Sequence, residues 1–317
     1  MRRVYSGRWL CGEIGPRGLR RLQLFEFLDQ SWCPQTVRHG ATDYLEAITS
    51  RADIYRPIQA EIFRAIQDCG AKRVVDLCSG GGGPWLSRSW REALADHAPL
   101  TVILTDKFPS HELSARLHAD PTVTCVDFPV DAASVPESLS GFRTIFSSFH
   151  HFPDNIARAV LADAVRVGEG FAMTEVTSRT LRACAIILLM PLFAWILTPR
   201  MRPFRWSRLL LTYLLPLIPF VVLWDGLVSC FRTRTPQELL ALTSTLPQYE
   251  WTAGYAPGRW LAPVYLIGRP KPFVSTWGYN RGLDGPLLGG SQVSKARPGP
   301  PVLPLDTISK GCPRSCF

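Results

Sequence analysis

Apolar positions recur along this chain with two periods. Nearly continuous apolar runs at residues 72–77, 100–105, 122–126, 142–147 and 168–176 read as short strands buried on both faces. Between them lie stretches of helical period. Over 52–69, Ile54, Ile58, Ile62, Phe63 and Ile66 share a face, and Gly70 ends the helix. A second helix follows Pro84 to about residue 97, and a third covers 154–167 with Ile156, Val160, Leu161 and Val165 on one side. Five alternating strand and helix units predict an α/β fold with a doubly wound, mostly parallel sheet. Thr235, Pro236 and Glu238 form a capping box with proline at the first helical position, so a last helix runs from there to about Leu246. Residues 249–255 and 263–267 then read as a closing antiparallel hairpin joined through Pro257 and Gly258.

The alternation breaks after Thr180. Residues 183–199 and 209–224 carry no charge. At ~1.5 Å per residue, 17 residues reach about 26 Å, just short of a ~30 Å hydrocarbon core. Pro191, Pro216 and Pro219 interrupt both blocks. The expectation is an apolar, membrane-associated helical hairpin inserted over 181–231, spanning, re-entrant or interfacial. The competing reading is a buried subdomain or a dimer interface. Arg200, Arg202, Arg205 and Arg208 in the connecting loop balance Arg179, Arg182, Arg232 and Arg234 on the flanks, so charge alone gives no orientation. The predicted organisation is a basic arm and N-terminal cap over 1–51, a main domain over 52–180 and 232–268, the insertion over 181–231, and a disordered, proline- and glycine-rich tail over 269–317.

Composition adjusts this picture modestly. The 317 residues carry a net charge of +9, with 46% hydrophobic and 19% charged residues, which fits a globular core plus something more apolar than usual. The positive balance suits an anionic membrane surface, and no nucleic-acid partner is predicted. Nine cysteines without a C-x-x-C pair argue for a reducing compartment and against a disulfide framework or a cysteine-built zinc site; no metal is predicted. The arginine-rich start has no apolar core segment, so no secretory signal is expected. The aromatic stretch 22–50 is too apolar for a linker.

The chemistry centres on residues 72–84, where an apolar strand stops in Gly80, Gly81, Gly82 and Gly83 and a helix opens at Pro84. Glycines permit left-handed backbone and close approach of a ligand, and a helix start at a strand's carboxyl end suits a nucleotide. Neither the dinucleotide fingerprint nor the phosphate-loop pattern fits the spacing. What fits is an acid, Asp76, followed by Cys78, Gly80 and Gly82 at alternate positions. Asp106 ends the next strand, 24 residues after Gly82 (106 minus 82), where a carboxylate can accept hydrogen bonds from ribose hydroxyls. His150 and His151 follow the fourth strand between Phe149 and Phe152, and an imidazole there could serve as general base.

Through Asp76, Gly80 and Gly82 the chain resembles the class I S-adenosylmethionine-dependent methyltransferase family, with Cys78 standing where that family's motif has its first glycine. The resemblance covers about residues 52–180 and 232–268. It implies S-adenosyl-L-methionine as cofactor, with Asp76, Cys78, Ser79, Gly80 and Gly82 around its methionine end. It also implies that Asp131, in Pro129 to Pro136, accepts the adenine amino group, with Asp127 as rival, and that His150 or His151 faces the acceptor. The expected activity is methyl transfer to a small-molecule or lipid-like acceptor at a membrane, with the catalytic domain facing the cytoplasm. The alternative is an inactive, membrane-associated binding or scaffold protein that retains the fold.

Overall fold

The computed structural model describes residues 20–202, 204–258 and 261–272; the arginine-rich arm before residue 20 and the tail after 272 lie outside the described residues. In chain order the regular elements are α1 (Gln35–Ala52), α2 (Arg56–Asp68), β1 (Arg73–Leu77), α3 (Arg88–Asp96), β2 (Thr101–Leu104), α4 (His111–Leu117), β3 (Val123–Cys125), β4 (Phe142–Phe146), α5 (Asp154–Val167) and β5 (Phe171–Glu175). Then come α6 (Leu181–Leu188), α7 (Met190–Leu197), α8 (Trp206–Leu209), α9 (Leu217–Arg232), α10 (Pro236–Leu242), β6 (Tyr249–Tyr255) and β7 (Val264–Pro270).

The seven strands form one sheet in the order β3-β2-β1-β4-β5-β7-β6. The first five neighbours are parallel, and β7 enters antiparallel between β5 and β6. This is the doubly wound sheet of the class I methyltransferase type that the sequence predicts, closing hairpin included.

Alternate strand residues feed two cores. Val74, Val102, Phe142, Ala172 and Ile267 pack with Ile58, Ile62, Phe63, Ile66, Trp90 and Leu94 of α2 and α3. Val75, Ile145, Met173 and Leu266 pack on the opposite face with Ala157, Val160 and Leu161 of α5 and Leu239 and Leu242 of α10. The period of two along each strand is what lets one sheet bury both faces.

Several boundaries differ from the sequence expectation: α2 starts at Arg56 rather than about Ala52, and β7 runs to Pro270, two residues into the predicted disordered tail of 269–317. The helix expected after Pro84 begins as a single tight turn, Gly83–Leu86, before α3. The last helix stops at Leu242 rather than Leu246. Residues 35–52, read only as an aromatic cap, form α1, whose buried Val37, Ala41 and Tyr44 pack on Ala194, Ile218, Val221 and Val222. Its stripe is short because Gly40 faces α9, where a Cβ would come within 2.5 Å of Ile218 Cδ1.

The segment after β5 is helical but broken, not a simple two-helix hairpin. The run Leu181–Arg200 is long and apolar enough to cross a membrane and only 17% of its most apolar window is buried, while residues 206–214 and 217–232 meet at a 75° bend by Pro216.

Candidate functional site

The carboxyl ends of β1, β2 and β4 bring most of the sequence-singled residues to one edge of the sheet. β1 ends at Leu77, and the chain turns through Cys78 with φ 57°, Gly80 with φ 54°, Gly82 with φ 107° and Gly83 with φ 55°. Cys78 thus takes, as a non-glycine residue, the left-handed conformation that favours glycine, at the position where the resemblance expects one. Hydrogen bonds hold the turn: Ser79 N–H donates to the Thr105 carbonyl (2.9 Å), Ser79 Oγ to the Asp76 carbonyl (2.9 Å) and Gly82 N–H to the Ser79 carbonyl (2.8 Å).

Asp106, just past β2, meets this turn directly: its Oδ2 accepts from Gly80 N–H at 2.8 Å and its Oδ1 from Phe108 N–H at 2.8 Å. Burial raises its pKa against the pull of these two donors. Asp76 sits beneath the turn, 1% exposed, with Oδ1 accepting from Thr144 Oγ1 at 2.6 Å. Burial pushes its carboxyl up to about 7, with the Thr144 hydroxyl opposing. It therefore shapes the turn from within the sheet. Asp131 is exposed beside the same edge; its Oδ1 accepts from Ala133 N–H at 2.9 Å in a tight local turn, and the neighbouring Val130 N–H donates to the Asp106 carbonyl (2.9 Å). Asp127 is exposed at the end of β3.

These residues fit an adenosyl cofactor. Among the described residues, an added Cβ at Gly80 would meet only Thr42 Cγ2, at 3.7 Å, whereas at Gly81 a Cβ would strike Glu46 Oε2 at 2.6 Å. The turn is therefore a backbone surface open at Gly80, roofed by α1, with the Asp106 carboxylate at its side.

The exit of β4 makes the second half. Ser147 has φ 46°, and its Oγ accepts from Tyr55 Oη (2.8 Å) and Val176 N–H (3.2 Å), fixing a strained corner before the histidines. His150 is 4% exposed. Its backbone N–H donates to Glu175 Oε1 (2.9 Å), and its Nδ1 lies 2.7 Å from Glu175 Oε2, at the end of β5. The other ring nitrogen, Nε2, is buried with no hydrogen-bond partner and lies 3.7 Å from Glu26 Oε1. His151 is more open; its Nδ1 lies 2.8 Å from Asp29 Oδ1 and 3.1 Å from Glu26 Oε2, and the two imidazole rings sit 4.2 Å apart.

Glu26 and Asp29 belong to the strap that precedes α1, and α9 holds that strap. Asp225 accepts from Phe27 N–H (2.8 Å) and Leu28 N–H (3.0 Å), Ser229 Oγ donates to Glu26 Oε1 (3.1 Å), and Arg232 donates to the Leu24 carbonyl (2.7 Å) and Asp29 Oδ2 (2.7 Å). Burial lifts the Glu26 carboxyl to about 7 against the attraction of His151 and Arg232. For Asp29 burial works upward too, but the hydrogen bonds from His151 and Arg232 outweigh it and hold it at about 2.

Sequence reasoning missed Glu26, Asp29, Glu175, Asp225 and Arg232. One signal was present: Glu175 is an acid inside an otherwise apolar strand, and such a charge is buried only with a partner. The pairing of Glu26 and Asp29 with residues more than a hundred positions away has no local signature.

No protein-family profile and no curated protein matches the chain. Among solved structures it is similar to human N-acetylserotonin methyltransferase in complex with SAM, at 14% identity and a TM-score of 0.43, covering 75% of this chain and 56% of that one. It is similar to the plantazolicin methyltransferase BpumL in complex with SAH, at 10% identity and a TM-score of 0.42, covering 75% of this chain and 96% of that one. It is also similar to a structure described as a putative Zn-dependent alcohol dehydrogenase from Rhodobacter sphaeroides, at 15% identity and a TM-score of 0.39, covering 70% of this chain and 98% of that one. At these values no residue correspondence and no activity passes from any of them to this chain.

Proposed function

We propose that this chain transfers a methyl group from S-adenosyl-L-methionine to a small-molecule or lipid-like acceptor at a membrane surface, with its catalytic domain on the cytoplasmic side. The observation that carries this reading is the direct contact between the glycine turn after β1 and the acid at the end of β2, Gly80 N–H to Asp106 Oδ2 at 2.8 Å, at the carboxyl edge of the sheet. Bound there, the cofactor supplies an electrophilic methyl on a sulfonium. The turn from Cys78 to Gly82 would lie against its methionine end, Asp106 would accept from the ribose hydroxyls, and Asp131 would stand on the adenine side. His150 and His151 are at the neighbouring strand exit, where an acceptor would meet the methyl group. Catalysis comes mainly from aligning nucleophile, methyl carbon and leaving sulfur.

The membrane part of the reading is supported by the exposed apolar side chains of the insertion, among them Leu188, Leu192, Trp195, Trp206, Leu214 and Phe220. The test is calorimetric titration of the full chain with S-adenosylmethionine, beside Asp106→Ala. Binding that weakens at least about tenfold in the variant is expected, since a charged hydrogen-bond acceptor is worth ~1.5–3 kcal/mol. No binding by folded protein sinks the reading; binding without S-adenosylhomocysteine formation with any acceptor would leave the scaffold alternative.

A further inference from the structure

We propose that Glu26, His150 and His151 form a binding site for one divalent transition-metal ion of the zinc type. The three side chains each offer a donor atom, and these atoms lie within 4.8 Å of one another. Two bonds of about 2.0–2.1 Å at a tetrahedral ion put neighbouring ligand atoms about 3.4 Å apart. Here the carboxylate of Glu26 turns one oxygen to each imidazole, Oε1 at 3.7 Å from His150 Nε2 and Oε2 at 3.1 Å from His151 Nδ1, and an ion would take His151 Nδ1 from Asp29 Oδ1, now 2.8 Å away. Two imidazoles and one carboxylate are a donor set that zinc takes where a further position stays open to a water or a substrate oxygen.

The feature that points to a ligand rather than to packing is His150. Its Nδ1 is committed to Glu175 Oε2 at 2.7 Å, which aims the opposite nitrogen into the cluster, and that nitrogen is buried with no partner. An imidazole whose distal nitrogen is held by a carboxylate while its free nitrogen faces other donors has the arrangement that orients metal-ligating histidines. Left to itself, a buried nitrogen without a hydrogen bond is destabilising; an ion bound by Nε2 removes that cost.

The surrounding charge agrees. Glu26 and Asp29 come from the strap, Glu175 from β5 and Asp225 from α9, while Arg232 of α9 is the cation facing them and Arg234 is bonded to Asp154. Arg232 is engaged by Asp29 Oδ2 at 2.7 Å and stands farther, 3.3 Å, from Glu26 Oε1. The same Arg232 nitrogen lies 3.5 Å from His151 Nδ1, so an ion entering the cluster would displace this guanidinium towards Asp29.

The site stands on this geometry alone; only its use rests on the methyl-transfer reading. There the ion would hold an acceptor oxygen at the strand exit, and His151 would serve as a ligand instead of a free base.

The experiment is titration of the EDTA-treated full-length protein with Zn²⁺, followed by calorimetry and by thermal midpoint, and with Co²⁺, followed by visible absorption. One-to-one saturable binding is expected, weakened at least about tenfold by Glu26→Gln and by His151→Ala, with loss of the Co²⁺ bands, and unchanged by His118→Ala at an exposed histidine elsewhere. Glu26→Gln keeps an oxygen for Ser229 and His151→Ala gives up contacts with Asp29 and Glu26, so metal-free circular dichroism checks that each variant is folded before its lost binding counts as a lost ligand. No saturable binding, or equal binding by wild type and both variants, overturns the proposal. Zinc binding without S-adenosylmethionine binding would leave this site standing and sink the methyl-transfer reading; the reverse would sink only this one.

Discussion

Asp76 shows how a single buried residue can carry a stability cost. Its carboxyl is buried at 1% exposure and titrates at about 7 in the folded chain, above its ordinary value near 4 in the unfolded one. A carboxyl raised on folding costs stability once it ionises. The cost is absent below about pH 4, grows as pH rises towards 7, and is constant above. Asp76→Asn should therefore match the wild type near pH 4 and be more stable at pH 8, by the order of a few kcal/mol. Urea unfolding at the two pH values measures this, and a variant less stable than wild type at pH 8 would refute it. At this scale the sequence revealed chemistry wherever the residue type was rare for its surroundings: an acid closing a buried strand at Asp76, or paired histidines between phenylalanines. It was silent on Glu26 and Asp29, because ordinary acids in an aromatic stretch become special only through partners that the fold brings from α9 and the β4 exit.

At the level of elements, strands were easy to read because their burial on both faces leaves continuous apolar runs, and α5 because its stripe is wide. α10 was readable from its cap: Thr235 Oγ1 accepts from Glu238 N–H (3.3 Å) and Glu238 Oε2 from Thr235 N–H (2.8 Å). Thr235→Ala should cost about 1 kcal/mol in chemical unfolding while leaving ligand titrations unchanged; a cost below the error of the measurement would show that packing of Leu239 and Leu242 alone holds the helix. α1 was not recognised, since it spends its faces on different neighbours. Thr42 and Glu46 lie against the glycine turn, Tyr44 Oη donates to the Met190 carbonyl at 2.9 Å, and Asp43 pairs with Arg208 at 2.8 Å. A helix divided between a turn and an insertion has no single apolar stripe to announce it.

Across the whole molecule, the insertion divides into a part joined to the domain and a part turned outward. Ala194, Met201, Ile218, Val221 and Val222 close a third core with α1, whereas Leu188, Leu192, Trp195, Leu214 and Phe220 are exposed. On the proposed membrane reading, this surface would meet a bilayer through its apolar area, with arginines such as Arg200 alongside for anionic headgroups. Co-sedimentation with anionic vesicles should recover the protein, and replacing Leu192, Leu214 and Phe220 by serine should weaken recovery at least about tenfold without changing the thermal midpoint, a loss of more than ~1.4 kcal/mol. Wild type that stays in the supernatant would favour the reading of this surface as a contact between proteins. The sequence located the apolar blocks and, in Pro216, the break that bends the second of them; the 75° angle was not legible, because it depends on how α9 docks on α1.

α9 also joins two environments along one rod. It starts with Leu217 and Phe220 in the open and finishes with Asp225, Ser229 and Arg232 gripping the strap that carries Glu26 and Asp29 to the histidines. If the open end rests in lipid, the chain samples the bilayer and the strand exit with a single rigid body. On the proposed reading, an oily acceptor then needs no journey through water: it would slide sideways out of the leaflet along α9, while a water-soluble methyl donor would enter at the glycine turn.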